Sequence, residues 1–255
     1  MCDLLGISCN ENDRASRSLP QFAKEFSDDN PDGWGIAYFE GAKAVIKRSQ
    51  GKDDLKAKKS KLFRETWKKV RSKNFIAHVR LASRGICTEL NCHPFALDHN
   101  VHRILERDWI FAHNGTIRGF AEHPRSKGTT DSENIFNEIL DSMKKYLSSG
   151  KIRGEYHALK YAIEKIFKRY GRGITLNLLM SDGNMHYAFS HYLPGSDFER
   201  PIFMKRRGKA WGNVILLTTG KFVTPGYANE EWEKIPTDRL LVVNCGQIIT
   251  LSDPI

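Results

Sequence analysis

The chain has 255 residues, is 40% hydrophobic and carries a formal net charge of +10. That is enough to bury a full core, and one domain over 1–255 is expected. No stretch approaches the roughly 20 apolar residues of a membrane-crossing helix, and no basic region precedes Leu4, Leu5 and Ile7 as in an export signal. The five cysteines, Cys2, Cys9, Cys87, Cys92 and Cys245, are scattered without a CxxC pair. This spacing points to reduced thiols in the cytoplasm, not to a disulfide scaffold or structural zinc site.

The first expected strand is Leu4–Ser8, and directly before it stands Cys2. Removal of Met1 would give Cys2 a free α-amine, so one residue would supply a thiolate and a base with a pKa of about 7.7–8.0. The alternative is a cysteine that merely starts a buried strand. Gly35–Phe39 and Ala44–Lys47 read as strands joined at Glu40-Gly41, preceded by the tight Asn30-Pro31-Asp32-Gly33-Trp34-Gly35 loop. Between Lys56 and Arg71, lysines and arginines surround Leu55, Leu62, Phe63, Trp67 and Val70 at helical spacing, so an amphipathic helix with a basic outer face is expected. No zinc-finger spacing, homeodomain signature or RNP-like aromatic pair accompanies it, and no specific nucleic-acid partner is expected.

Phe75–Arg80 and Trp109–His113 are further strands, and each ends in chemistry. Arg80 offers a guanidinium able to grip a carboxylate bidentately. Asn114-Gly115 offers a side-chain amide and a backbone N–H to one oxyanion. His78, His93, His99 and His113 admit a metal reading, but match no compact zinc pattern and no HExxH is present. Hydrogen-bonded structural histidines are the alternative, and neither a metal nor a cofactor is expected. Ser132–Leu147 and Glu155–Tyr170 have helical periodicity, with Thr129, Thr130 and Asp131 as capping candidates for the first. Asp131 is either an ordinary N-cap or an anion placed for a substrate ammonium. Ile174–Met180 and Met185–Ser190 form a hairpin, and Val214–Thr219 and Leu240–Asn244 complete a sheet-rich end. Lys205–Lys209 reads as a basic loop without the P-loop arrangement.

Together Cys2, Arg80, Asn114-Gly115 and Asp131 supply what recognition and cleavage of a γ-glutamyl amide require. The chain resembles the class II glutamine amidotransferase domains, which are N-terminal-nucleophile hydrolases, and most of all the small stand-alone bacterial members. The likeness is carried by the Met-Cys-x-Leu-Leu-Gly start, Asp32-Gly33-Trp34-Gly35, His78-Val79-Arg80, Asn91-Cys92-His93-Pro94-Phe95, His113-Asn114-Gly115 and Thr130-Asp131-Ser132-Glu133. The segment from Trp232 to Val243 resembles the closing strand region of the family.

The resemblance implies an α+β fold, a four-layer αββα sandwich with Cys2 at the end of an inner strand. It implies hydrolysis of glutamine to glutamate and ammonia through a thioester on Cys2. It also implies Asn114 and Gly115 at the oxyanion, Arg80 and Asp131 on the amino-acid head group, and Gly33 and Trp34 in the pocket wall. Two departures bear on substrate. Asp32-Gly33-Trp34-Gly35 replaces the Arg-Gly-Tyr-Asp-Ser of better-known synthase domains, and Leu81 stands where they place tryptophan. Arg84 could meet a longer acidic substrate, with a surface role as the alternative. No synthase or transferase domain fits in the chain, so an ammonia-accepting enzyme would be a separate partner. The alternatives are a hydrolase of a larger γ-glutamyl compound and an inactive regulatory or anion-binding domain.

Overall fold

A computed structural model describes residues 2–49, 51–82, 88–98, 107–150, 154–193, 195, 201–208, 212–224, 226 and 231–255. Met1, Arg84, Cys87, His99 and Lys209 lie outside the described residues. In chain order the strands and α-helices are β1 (Asp3–Asp13), α1 (Ser18–Phe26), β2 (Trp34–Glu40), β3 (Lys43–Arg48), α2 (Lys61–Lys69), β4 (Ser72–Val79), β5 (Phe95–Leu97), β6 (Trp109–Thr116), α3 (Asp131–Leu147) and α4 (Glu155–Tyr170). The remaining strands are β7 (Thr175–Ser181), β8 (Met185–His191), β9 (Ile202–Gly208), β10 (Gly212–Thr218), β11 (Glu233–Lys234), β12 (Leu240–Asn244) and β13 (Gln247–Leu251).

Two antiparallel sheets result, ordered β11-β9-β10-β1-β4-β2-β3 and β13-β12-β8-β7-β6-β5. Strand alternation sorts their side chains into three cores. Leu5, Ile7, Trp34, Ile36 and Ala77 face Leu19 and Phe22 of α1 and Phe63 of α2. Leu4, Ala37 and Ile76 meet Ile110, Ala112 and Leu179 between the sheets. Phe111, Leu176 and Leu178 on the far side pack against Ile135, Ile139, Leu159 and Ile163 of α3 and α4. These layers are the αββα sandwich.

Two sequence expectations are corrected, and one helix is added. The basic helix is shorter: α2 begins at Lys61 because Ser60 caps it, its hydroxyl accepting from Phe63 N at 3.1 Å. Leu55 instead follows a single 3-10 turn at Lys52–Asp54. Lys205–Gly208 is part of β9, not a loop, paired through Lys205↔Ile215 to Gly208↔Gly212. Helix α1 was not among the expected elements, and it carries Pro20. This proline falls in the first helical turn, where the missing N–H has no intrahelical partner to lose.

Candidate active site

The site forms where the first residue before β1 meets the ends of β4 and β6. Asp3 pairs with Val79, and Val79 also pairs with Trp34. By alternation Leu4 and His78 face the inter-sheet layer, and Cys2 and Arg80 continue those two rows at the sheet end. The Cys2 thiol sits against the Leu81 backbone, with Sγ 3.3 Å from both the Leu81 N and its carbonyl oxygen. Burial pushes the thiol above its ordinary range, while the Leu81 contact and the Arg80 charge pull the other way. Arg80 is only 4% exposed.

The segment carrying Arg80 and Leu81 is braced by the Asp32-Gly33 loop. Arg80 N donates to the Gly33 carbonyl at 2.8 Å and Asp32 N to the Arg80 carbonyl at 2.9 Å. The Asp32 carboxylate in turn accepts from Ala82 N at 2.8 Å. Gly33 has φ +139°, and a Cβ there would lie 2.6 Å from Cys92 Sγ, so this brace requires glycine. Cys92 belongs to the expected Asn91–Phe95 stretch, which thus packs behind the site. Its Asn91 side chain also accepts from Thr129 N at 2.8 Å.

From the other sheet, Asn114 projects into the inter-sheet layer, as Ala112 does two residues earlier. Its amide donates to the Cys2 carbonyl. Gly115 follows, and a Cβ at that position would lie 2.1 Å from the Thr175 carbonyl oxygen and 2.5 Å from His113 Nε2. Beyond the strand, Ile117 N donates to the Asp131 carboxylate at 2.8 Å. Thr130 is the N-cap of α3, its hydroxyl accepting from Glu133 N, and Asp131 is the first helical residue. The N-cap alternative for Asp131 therefore belongs to its neighbour.

His113 fixes this corner from the far face of β6. Its Nε2 lies 3.2 Å from the Thr175 carbonyl and its Nδ1 3.0 Å from Ser132 Oγ. A carbonyl can only accept, and burial, outweighing the Asp131 charge, holds the imidazole pKa down. The neutral ring therefore carries its proton on Nε2, and the one Ser132 hydroxyl proton goes to Nδ1 at 3.0 Å in preference to the Asp131 carboxylate at 3.2 Å. Asp131 then relies on the Ile117 and Ser132 backbone N–H groups.

Cys2, Arg80, Asn114, Gly115, Asp131 and the Gly33 backbone are thus assembled around neighbouring strand and helix ends. Trp34 is not a pocket-wall side chain. It is fully buried on the helix-facing side of the sheet, edge-on to Phe63 at 5.2 Å and donating its indole N–H to the Asp54 carbonyl. The Leu81 backbone and Ile117 are parts that residue-type reasoning gave no role, and Asp32 and Ser132 stood there only as members of longer motifs. Leu81 and Ile117 act through their main chains, so no side-chain signal marks them.

The histidines are placed differently from one another. His78 and His93 are in edge contact at 4.4 Å, and their ring nitrogens have no hydrogen-bond partner among the described residues. For these two the hydrogen-bonded reading is corrected: both rings are buried and meet each other edge-on, and His93 also meets Phe95. Among the described residues no three His, Cys, Asp or Glu side chains are grouped to hold a metal ion.

Residues 1–199 match the family model of class II glutamine amidotransferases. The chain belongs to that family. An uncharacterized protein of Methanocaldococcus jannaschii is 30% identical, the match covering 98% of this chain and 71% of that protein. A Haemophilus influenzae protein assigned by its name to the glutamine amidotransferases is 28% identical over 98% of this chain and 86% of its own. In fold, the chain is similar to the crystal structure of a predicted glutamine amidotransferase from Pseudomonas aeruginosa, with a TM-score of 0.64 at 19% identity. That likeness spans 98% of this chain and all of the other. Among the described residues no helix is long and apolar enough to cross a membrane.

Proposed function

We propose that this class II glutamine amidotransferase uses Cys2, freed of Met1, to hydrolyse the γ-amide of glutamine, as one catalytic domain over 1–255 in the cytoplasm. The observation that carries the reading is the convergence on Cys2. Its sulfur lies against the Leu81 backbone beside Arg80, and its carbonyl is held by Asn114.

The α-amine takes the thiol proton through a water, and Sγ attacks the γ-carbonyl carbon. The Asn114 amide has two N–H groups. One engages the Cys2 carbonyl, leaving the second, with the Gly115 N–H, for the oxyanion. Collapse breaks the C–N bond, and the α-ammonium returns its proton to the departing ammonia. Water then hydrolyses the thioester to glutamate and restores the thiol. Arg80 takes the substrate α-carboxylate and Asp131 its α-ammonium, the latter preset by two backbone N–H groups. Released ammonia passes to a separate acceptor enzyme.

Glutamine turnover tests the reading. Cys2→Ala should abolish it, while Arg80→Lys and Asp131→Asn should raise KM by about tenfold or more, as loss of charge-assisted hydrogen bonds does. Wild-type turnover in Cys2→Ala, or unchanged KM in both others, would reject it. A second reading follows from Leu81, which is 39% exposed directly beside the thiol contact. With no aromatic side chain there, a γ-glutamyl compound with a bulkier leaving group is accommodated. A higher kcat/KM for γ-glutamyl anilides than for glutamine would favour it.

A further inference from the structure

At the other end of β6 from Asn114, roughly 17 Å away by strand rise, lies a cavity of about 510 Å³. It is walled by the start of β6, the β7–β8 turn, the first turn of α4, β12 and β13. The volume suits a small organic ligand. Its inner wall is aromatic: Trp109 and Tyr187 stack at 5.6 Å and are each only 2% exposed.

The polar groups of this wall are not consumed by the fold. Neither the Trp109 indole N–H nor the Tyr187 hydroxyl has a hydrogen bond among the described residues. The two carboxylates lining the cavity, Asp182 and Glu155, both lie close enough to Tyr187 for their charges to hold its proton more tightly, adding to the effect of burial. One oxygen of Asp182 is fixed by Asn184 N at 2.8 Å and Met185 N at 2.7 Å. Arg107 lines the same cavity, but its guanidinium is turned into the walls. It donates to the Asp182 carbonyl at 2.8 Å and the Gly41 carbonyl at 3.0 Å.

We propose that this cavity is a binding site for a small organic cation, an ammonium group on an apolar or aromatic body, held by Asp182 and Glu155 against Trp109 and Tyr187. In a chain of net charge +10, two carboxylates against the one guanidinium of Arg107 leave this cavity with a local negative excess, and the Arg107 charge opposes the burial that pushes the Asp182 carboxyl up. An ammonium gains from both carboxylate charge and ring quadrupole. The Tyr187 hydroxyl and the Trp109 N–H would meet polar substituents on the ligand body. The site is separate from the Cys2 centre and does not depend on the reaction assigned there.

Calorimetric titration of the full chain at pH 7, with excess glutamate present to occupy the amino-acid site, tests this. The probes are 2-phenylethylamine, tyramine and choline, with 2-phenylethanol as the neutral control. Saturable binding of at least one cation is expected, about tenfold tighter than the alcohol. It should weaken about tenfold in Glu155→Gln and in Asp182→Asn, which keeps an oxygen for the turn N–H groups. Glu155 is partly exposed, so its variant should fold as the parent does. Failure of all three cations to bind, equal binding of the alcohol, or unchanged affinity in Glu155→Gln would overturn the proposal.

Discussion

The Asn114 side-chain amide donates to the backbone carbonyl of Cys2. A residue of one sheet thereby fixes the main chain of the proposed nucleophile of the other, and the same amide nitrogen keeps a second N–H. Asn114→Ala should therefore lower kcat on the order of 10²–10³-fold, the effect of losing an oxyanion donor, with KM changed only a few-fold. It should also cost about 1 kcal/mol of stability, because a part-buried carbonyl loses its partner. Steady-state kinetics and urea unfolding measure the two, and a wild-type kcat would contradict the assignment.

On the proposed mechanism, Asp32 has a positioning role. Its carboxylate holds Ala82 N, and so the segment whose Leu81 backbone contacts Cys2 Sγ. Asp32→Ala should slow alkylation of Cys2 and reduce kcat by about tenfold, equivalent to roughly 1.4 kcal/mol of lost positioning. Asp32→Asn keeps an accepting oxygen and should recover most of the loss. Equal impairment in both variants would contradict a positioning role.

Gly115 is confined by backbone. A methyl group there would meet the Thr175 carbonyl at 2.1 Å, so β6 and β7 would have to part. Gly115→Ala should cost about 1–3 kcal/mol by overpacking, lowering Tm by several degrees in calorimetry and disturbing the neighbouring Asn114. An unchanged Tm would contradict the packing described.

Burial of three histidines predicts acid sensitivity. It holds His78 and His186 down at about 3, and His93 well below its ordinary value, against 6.5 for the unperturbed side chain. Between those values the unfolded chain binds protons that the folded one refuses. These groups therefore impose no penalty above about pH 6.5, and stability is lost as pH falls from there toward 3. Each contributes up to about 1.4 kcal/mol per pH unit. Urea midpoints measured from pH 7 to 4.5 should fall, and His186→Met should make the fall shallower by about one proton. An identical slope would contradict the assignment.

The residues most legible from sequence were those whose chemistry resides in side chains at strand and helix ends. Cys2, Arg80, Asn114 and Asp131 come together because the ends of β1, β4, β6 and α3 do. Trp34 was misread because its neighbour Gly33 does border the site. One residue further along a strand the side chain points to the opposite face, and the Trp34↔Val79 register sends the indole to the helix layer. Strand β9 was hidden by the charges of Lys205–Arg207, whose strand character comes from pairing with β10. The start of α2 was readable in principle, since Ser60 precedes the apolar Phe63 it caps. The cavity at Trp109 and Tyr187 had no local signal, being built from five separated segments.

The most direct test of the central claim is intact mass with peptide mapping, before and after treatment with 6-diazo-5-oxo-norleucine. The account predicts a chain lacking Met1 that gains one adduct, on Cys2, with glutamine protecting against it. A chain lacking Met1 that remains unlabelled, or is labelled at another residue, would contradict the assignment of Cys2 as the nucleophile of a γ-glutamyl site.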